Sequence, residues 1–166
     1  MFKYIPLIAL LYFFAGCNSA GKQVEVDNAK MDSLKAELLR VDNGWSQLSQ
    51  KKGYYHTRVD YAADSSIEFE EHVMPIIGKA AFIDYSAKHP DSNFCLGWKP
   101  LRAEVAASGD LGYTFGAFAY YTKTLFGKDT IFYGNYVTVW RRQPDGKWKF
   151  VVDGGTDTPA RVESLK

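Results

Sequence analysis

A side chain that moves protons must be a carboxylate or imidazole whose titration is displaced inside an apolar pocket. Two carboxylates are the best candidates: Glu68, in the alternating stretch Ser65 to Phe69, and Asp153, before Gly154-Gly155-Thr156-Asp157. Strand alternation puts Glu68 on the face opposite Ile67 and Phe69, so it points either to solvent or to an interior. Asp153 reads most plainly as a strand-ending residue that bonds turn amides. Glu70, Glu71 and His72 read as a solvated acidic loop. His56, His72 and His89 are spaced 16 and 17 apart. No pair lies at the i, i+2 or i, i+4 spacing of a local metal motif, so no metal is expected. There is no Gly-rich phosphate loop, Gly-x-Ser-x-Gly elbow or Cys-x-x-Cys, and no cofactor is expected. Aromatic side chains carry the remaining signal. Trp45, Phe69, Tyr113, Phe115, Tyr136 and Trp140 are the candidate lining of a pocket for a flat apolar ligand, and some could instead bury a dimer interface.

These residues need elements to hold them. Met31, Leu34, Leu38, Val41, Trp45 and Leu48 recur at steps of three and four, which predicts a long helix with one apolar stripe. Asp27 or Asn28 caps it, Lys51-Lys52-Gly53 ends it, and a shorter helix follows from Tyr54 to Ala62. Ser65 to Phe69 reads as a strand and Gly78 to His89 as a helix stopped by Pro90. The remainder alternates as strands: Leu101 to Ala107, Leu111 to Tyr121, Ile131 to Arg142 and Lys147 to Asp153. Turns at Ser108-Gly109-Asp110 and Pro144-Asp145-Gly146 separate them. Helices first and a meander afterwards predict an α+β fold with a curved antiparallel sheet covered on one face. Gly112, Thr114 and Gly116 share one side of their strand, which permits sharp curling or close approach of the first helix.

The chain of 166 residues is long enough for one domain with its own core. Twenty Lys and Arg against nineteen Asp and Glu leave no basic excess, so nucleic acid is not an expected partner. The start is different in kind. Lys3 precedes an apolar run from Tyr4 to Phe14, too short to span a bilayer and suited to a secretory signal. Its ending, Phe14-Ala15-Gly16-Cys17, resembles a bacterial lipobox. That resemblance implies cleavage before Cys17, diacylation of its thiol and stable membrane anchoring. Residue 18 is Asn and not the Asp that by analogy retains such proteins at an inner membrane, so the outer membrane, periplasmic side, is expected in a Gram-negative host. The expected division is 1–16 leader, 17–27 tether, 28–160 domain and 161–166 tail. Cys95 is then the one remaining thiol and reads as buried filler.

Four segments occur in order: Leu96-Gly97-Trp98-Lys99-Pro100, Ala107 through Gly116, Gly134-Asn135-Tyr136-Val137-Thr138-Val139-Trp140, and Asp145-Gly146-Lys147-Trp148-Lys149. Together they resemble the SnoaL-like branch of the nuclear transport factor two superfamily, and within it the bacterial domain of unknown function 4440. The resemblance implies a cone of helices over a curved sheet, commonly a homodimer, and no single activity. The ketosteroid isomerase branch offers a check. Its Tyr-Ala-Asp-Asp-Ala-x-Val-Glu-Asp segment aligns with Tyr61 to Phe69, which puts Phe69 where that branch has its proton-abstracting Asp and Trp45 where it has a hydrogen-bonding Tyr. Steroid isomerisation of that kind is not expected, although a small gap would bring Glu68 or Glu70 to the place of the base. The expected function is therefore an anchored module binding a small apolar ligand or a partner chain; the alternative is an isomerase, dehydratase or hydrolase using Glu68.

Overall fold

The computed structural model describes residues 27–123 and 129–161. The expected leader, most of the tether and nearly all of the tail lie outside the described residues. Helix α1 (Asn28–Lys52) starts where Asp27 accepts a hydrogen bond from the Lys30 amide at 3.1 Å. Its buried face is Met31, Leu34, Leu38, Asp42, Trp45, Ser46 and Ser49, so the stripe passes through Asp42 where an apolar step to Val41 was expected. Among the described residues no helix is long and apolar enough to cross a membrane. Helix α2 (Tyr54–Tyr61) follows at once, and strand β1 (Ala62–Phe69), the short β2 (Ile76–Ile77) and helix α3 (Lys79–Lys88) complete the first half. The second half is β3 (Phe94–Val105), β4 (Leu111–Lys123), β5 (Asp129–Arg142) and β6 (Trp148–Thr158).

The six strands lie in the order β2-β1-β6-β5-β4-β3. All neighbours are antiparallel except β1 and β6, which run parallel, so the sheet is mixed and not wholly antiparallel as expected. Register shifts between Pro100 and Arg102 and between Val139 and Trp140 bend it, and the curved, unclosed sheet holds the helices on its concave side. Helix α1 also covers the β3 edge. Ser46 donates to the Trp98 carbonyl at 2.6 Å and accepts from its amide at 2.8 Å, and Ser49 donates to the Leu96 carbonyl at 2.8 Å. Edge groups that would template pairing with another chain are thereby occupied. The close approach expected at the small-residue strand is realised. A Cβ on Gly112 would lie 3.0 Å from Leu38 of α1, and one on Gly116 would lie 2.5 Å from the Tyr136 ring. The core is built on Trp45, which stacks on Phe150 (5.2 Å), Tyr61 (5.3 Å) and Tyr54 (5.6 Å) and meets Trp98 and Trp140 edge-on.

Candidate functional site

Between the helices and the concave face lies a cavity of about 490 Å³. Its rim and walls are aromatic: Phe69, Phe94, Phe118, Tyr120 and Phe132 stand beside Leu96. Its floor is polar, with Tyr54 from α2, Glu68 from β1, Tyr136 and Thr138 from β5 and Asp153 from β6. Glu68 and Asp153 are register partners across the parallel β1–β6 pair, so two carboxylates stand side by side on the concave face.

The floor is wired by hydrogen bonds. Tyr54 Oη lies 2.8 Å from Glu68 Oε1 and 3.1 Å from Asp153 Oδ2, so a single phenolic proton sits between two carboxyl groups. Thr138 donates to the other oxygen of Asp153. Glu68 is almost fully buried and pairs with Arg58 Nη1 at 2.6 Å; the same nitrogen reaches Glu70 at 3.2 Å. The Arg58 guanidinium is itself buried, 4.8 Å from the Tyr55 ring, 4.9 Å from Phe82 and 5.2 Å from Tyr85. Deeper still, Asp42 accepts from Trp98 Nε1 at 2.6 Å and from Tyr136 Oη at 2.7 Å. Trp45 Nε1 is buried with no acceptor among the described residues.

Titration follows from this burial. Loss of solvation lifts Asp153 to about 6, against the pull of the Thr138 hydrogen bond. Burial pushes Glu68 upward as well, with Arg58 pulling the other way and Asp153 adding to the rise. Asp42 is also raised by burial, opposed by its bonds to Tyr136 and Trp98. The phenols of Tyr54 and Tyr136 are raised, first by burial and then by the carboxylates beside them. The floor carboxyl groups therefore give up their protons later than free ones would, and at pH 7 Asp153, at about 6, is mostly ionised. Among the described residues no group of three or more His, Cys, Asp or Glu is placed to hold a metal ion.

Trp45, Phe69 and Tyr136 of the expected lining border this cavity, as do Glu68 and Asp153. Tyr113, Phe115 and Trp140 do not. Tyr113 and Phe115 fall on the strand period that faces away from the helices, and Trp140 is sealed in the core, its indole nitrogen 2.9 Å from Thr114 Oγ1. Glu68 faces inward and not to solvent. Asp153 does not end its strand: β6 continues to Thr158, and the carboxylate bonds side-chain hydroxyls where turn amides were expected. Cys95 lies on β3, partly buried, and does not line the cavity. Asp42, Tyr54, Arg58 and Thr138 were not anticipated. Two signals pointed to some of them: Asp42 lies one turn from both Leu38 and Trp45 on the apolar stripe, and Arg58 lies one turn from Tyr54.

No family model and no curated protein matches the chain. Solved structures do. A hexachlorocyclohexane dehydrochlorinase (type 2) is similar with a TM-score of 0.63 and 17% identity over 82% of this chain and 95% of that one. A ketosteroid isomerase-like protein from Erwinia carotovora is similar with a TM-score of 0.61 and 11% identity over 80% and 99% of the two chains. The association domain of the Caenorhabditis elegans calcium/calmodulin-dependent protein kinase II is similar with a TM-score of 0.60 and 14% identity over 78% and 99%. At these identities the likeness is one of architecture. The chain has the α+β cone of nuclear transport factor 2-like proteins.

Proposed function

We propose that the protein is an exported, lipid-anchored binding module whose cone holds a small molecule, the apolar body along the aromatic walls and the polar end on Asp153. The observation that carries this reading is the cavity of about 490 Å³, within the range of small-molecule sites, with apolar walls above a few convergent polar groups. A thermal-shift screen of the purified protein against a metabolite library tests it. A ligand at a hundred times its dissociation constant adds about 2.7 kcal/mol of stability. A hit whose shift persists in Phe118→Ala and Asp153→Asn variants would remove the cone as its site.

A second reading is supported by one specific observation. Asp153 borders the cavity with its titration displaced to about 6, which suits a general base near neutral pH. In an isomerase, dehydratase or hydrolase reading, Asp153 takes the role first expected of Glu68, because Glu68 is held by Arg58. Loss of turnover in Asp153→Asn with binding retained would favour it.

Anchoring through Cys17 is part of the proposal and rests on the lipobox resemblance; palmitate labelling that survives Cys17→Ser overturns it. Homodimerisation is supported by the outer face of β4 and β5. There Tyr113, Tyr121, Ile131 and Val137 are 39–47% exposed. On the same face Asn135 Oδ1 is buried with no partner among the described residues.

A further inference from the structure

We infer that the cone takes a small organic cation: an ammonium-type head against Asp153, and an aromatic or alkyl body between the rings of Phe94, Phe118, Tyr120 and Phe132. The inference rests on the binding reading above and names the chemistry of its ligand.

Three independent features of the cavity select this class. The first is charge. Five carboxylates border the cavity, Glu68, Glu70 and Glu71 from β1 and its following loop, and Asp153 and Asp157 from β6, and among the described residues no lysine, arginine or histidine does. Arg58, behind the wall, is already shared by Glu68 and Glu70. Asp153 has no ion-pair partner among the described residues, so it is the floor carboxylate left for a ligand's charge.

The second is the inventory of hydrogen-bonding groups. Tyr54 and Thr138 already donate toward the carboxylates of the floor, and Tyr136 and Trp98 donate to Asp42. Their protons are committed, whereas the carboxylate oxygens have lone pairs to spare. At Asp153 the floor therefore accepts from its ligand, and Trp45 Nε1–H, buried and without an acceptor among the described residues, is a lining donor not committed in this way. The third is the wall. Ten aromatic side chains border the cavity, and the negative face of an aromatic ring attracts a desolvated cation. An apolar ligand without charge would satisfy the rings and leave Asp153 facing an apolar surface, which is costly.

Size-matched probes differing only in the head group test this: 4-phenylbutylammonium, 4-phenylbutanol and 4-phenylbutanoate. Trp45 and Trp98 border the cavity, so quenching of tryptophan fluorescence reports occupancy of the unaltered protein. The expected result is saturable binding of the ammonium at least about tenfold tighter than the alcohol, with the carboxylate weakest. Asp153→Asn brings the ammonium and alcohol to similar affinity, and Phe132→Ala, at the half-exposed rim, weakens both. The three-probe comparison needs no variant, so a folding defect in Asp153→Asn does not obscure it. Alcohol or carboxylate binding as tightly as the ammonium overturns the cation inference and leaves a binding cone standing. No saturable signal from any probe, with no thermal shift, overturns both.

Discussion

Asp153 carries an electrostatic load that can be measured without a ligand. Its free carboxyl would titrate near 3.8, and burial raises it to about 6 in the fold. The folded state thus holds the proton more tightly than the unfolded chain. Stability from this group is full below the free value and is lost as pH rises through about 6. Asp153→Asn removes the charge and keeps the shape, so its melting temperature should exceed that of the parent at pH 8, with the gap closing toward pH 4. Arg58 predicts the opposite. Arg58→Ala leaves Glu68 buried beside Glu70 without a cation, and a loss of about 3–5 kcal/mol in urea unfolding is expected. Glu68 and Asp153 were legible as strand carboxylates near aromatic residues. Their common orientation was not, because alternation defines two faces without saying which is covered. Asp42 and Arg58 are not legible for a related reason: charged residues are seldom fully buried, and only partners on other elements make it tolerable.

At the level of elements, helix α2 begins at Gly53, which has φ of +95° and no side chain to cap the first turn. Asp91 supplies the cap from outside, accepting from the Tyr55 amide at 2.9 Å and the His56 amide at 3.0 Å. A Cβ on Gly53 would collide with that carboxylate. Asp91→Ala should cost about 1 kcal/mol, read by urea titration, and should loosen the placement of Tyr54 and Arg58. The helices and the long strands were legible from periodicity, as was the hairpin at Ser108-Gly109-Asp110, where Gly109 has φ of +77°. The reach of β6 was hidden by Gly154-Gly155, which reads as a turn. In the sheet both glycines pair with β5, opposite Val137 and Tyr136, and a Cβ on Gly155 would lie 2.7 Å from the Asn135 carbonyl oxygen. Close approach, not chain reversal, accounts for Gly155. The parallel docking of β1 on β6 left no local signature either, since nothing near Ile67 names a partner so far along the chain.

For the whole molecule, the outer sheet face gives the remaining prediction. If two copies join through it, Val137→Arg should convert a dimer to a monomer in sedimentation while leaving far-ultraviolet circular dichroism unchanged. A parent that is monomeric at micromolar concentration would remove the dimer reading.

The site also has a history within each folding event. Tyr54 and Asp153 are 99 residues apart, and β6 enters the middle of the sheet, between β1 and β5, after every other described strand has been made. Until it arrives, Glu68 lacks its register partner Asp153, Tyr54 has one acceptor fewer, and the edges of β1 and β5 stand open to other chains. Slow closure of so distant a pairing is the general expectation for sheets of this topology. A nascent polypeptide is thus most vulnerable to misassembly just before β6, the last described strand, inserts, and the same strand that ends this exposure completes the floor of the cone.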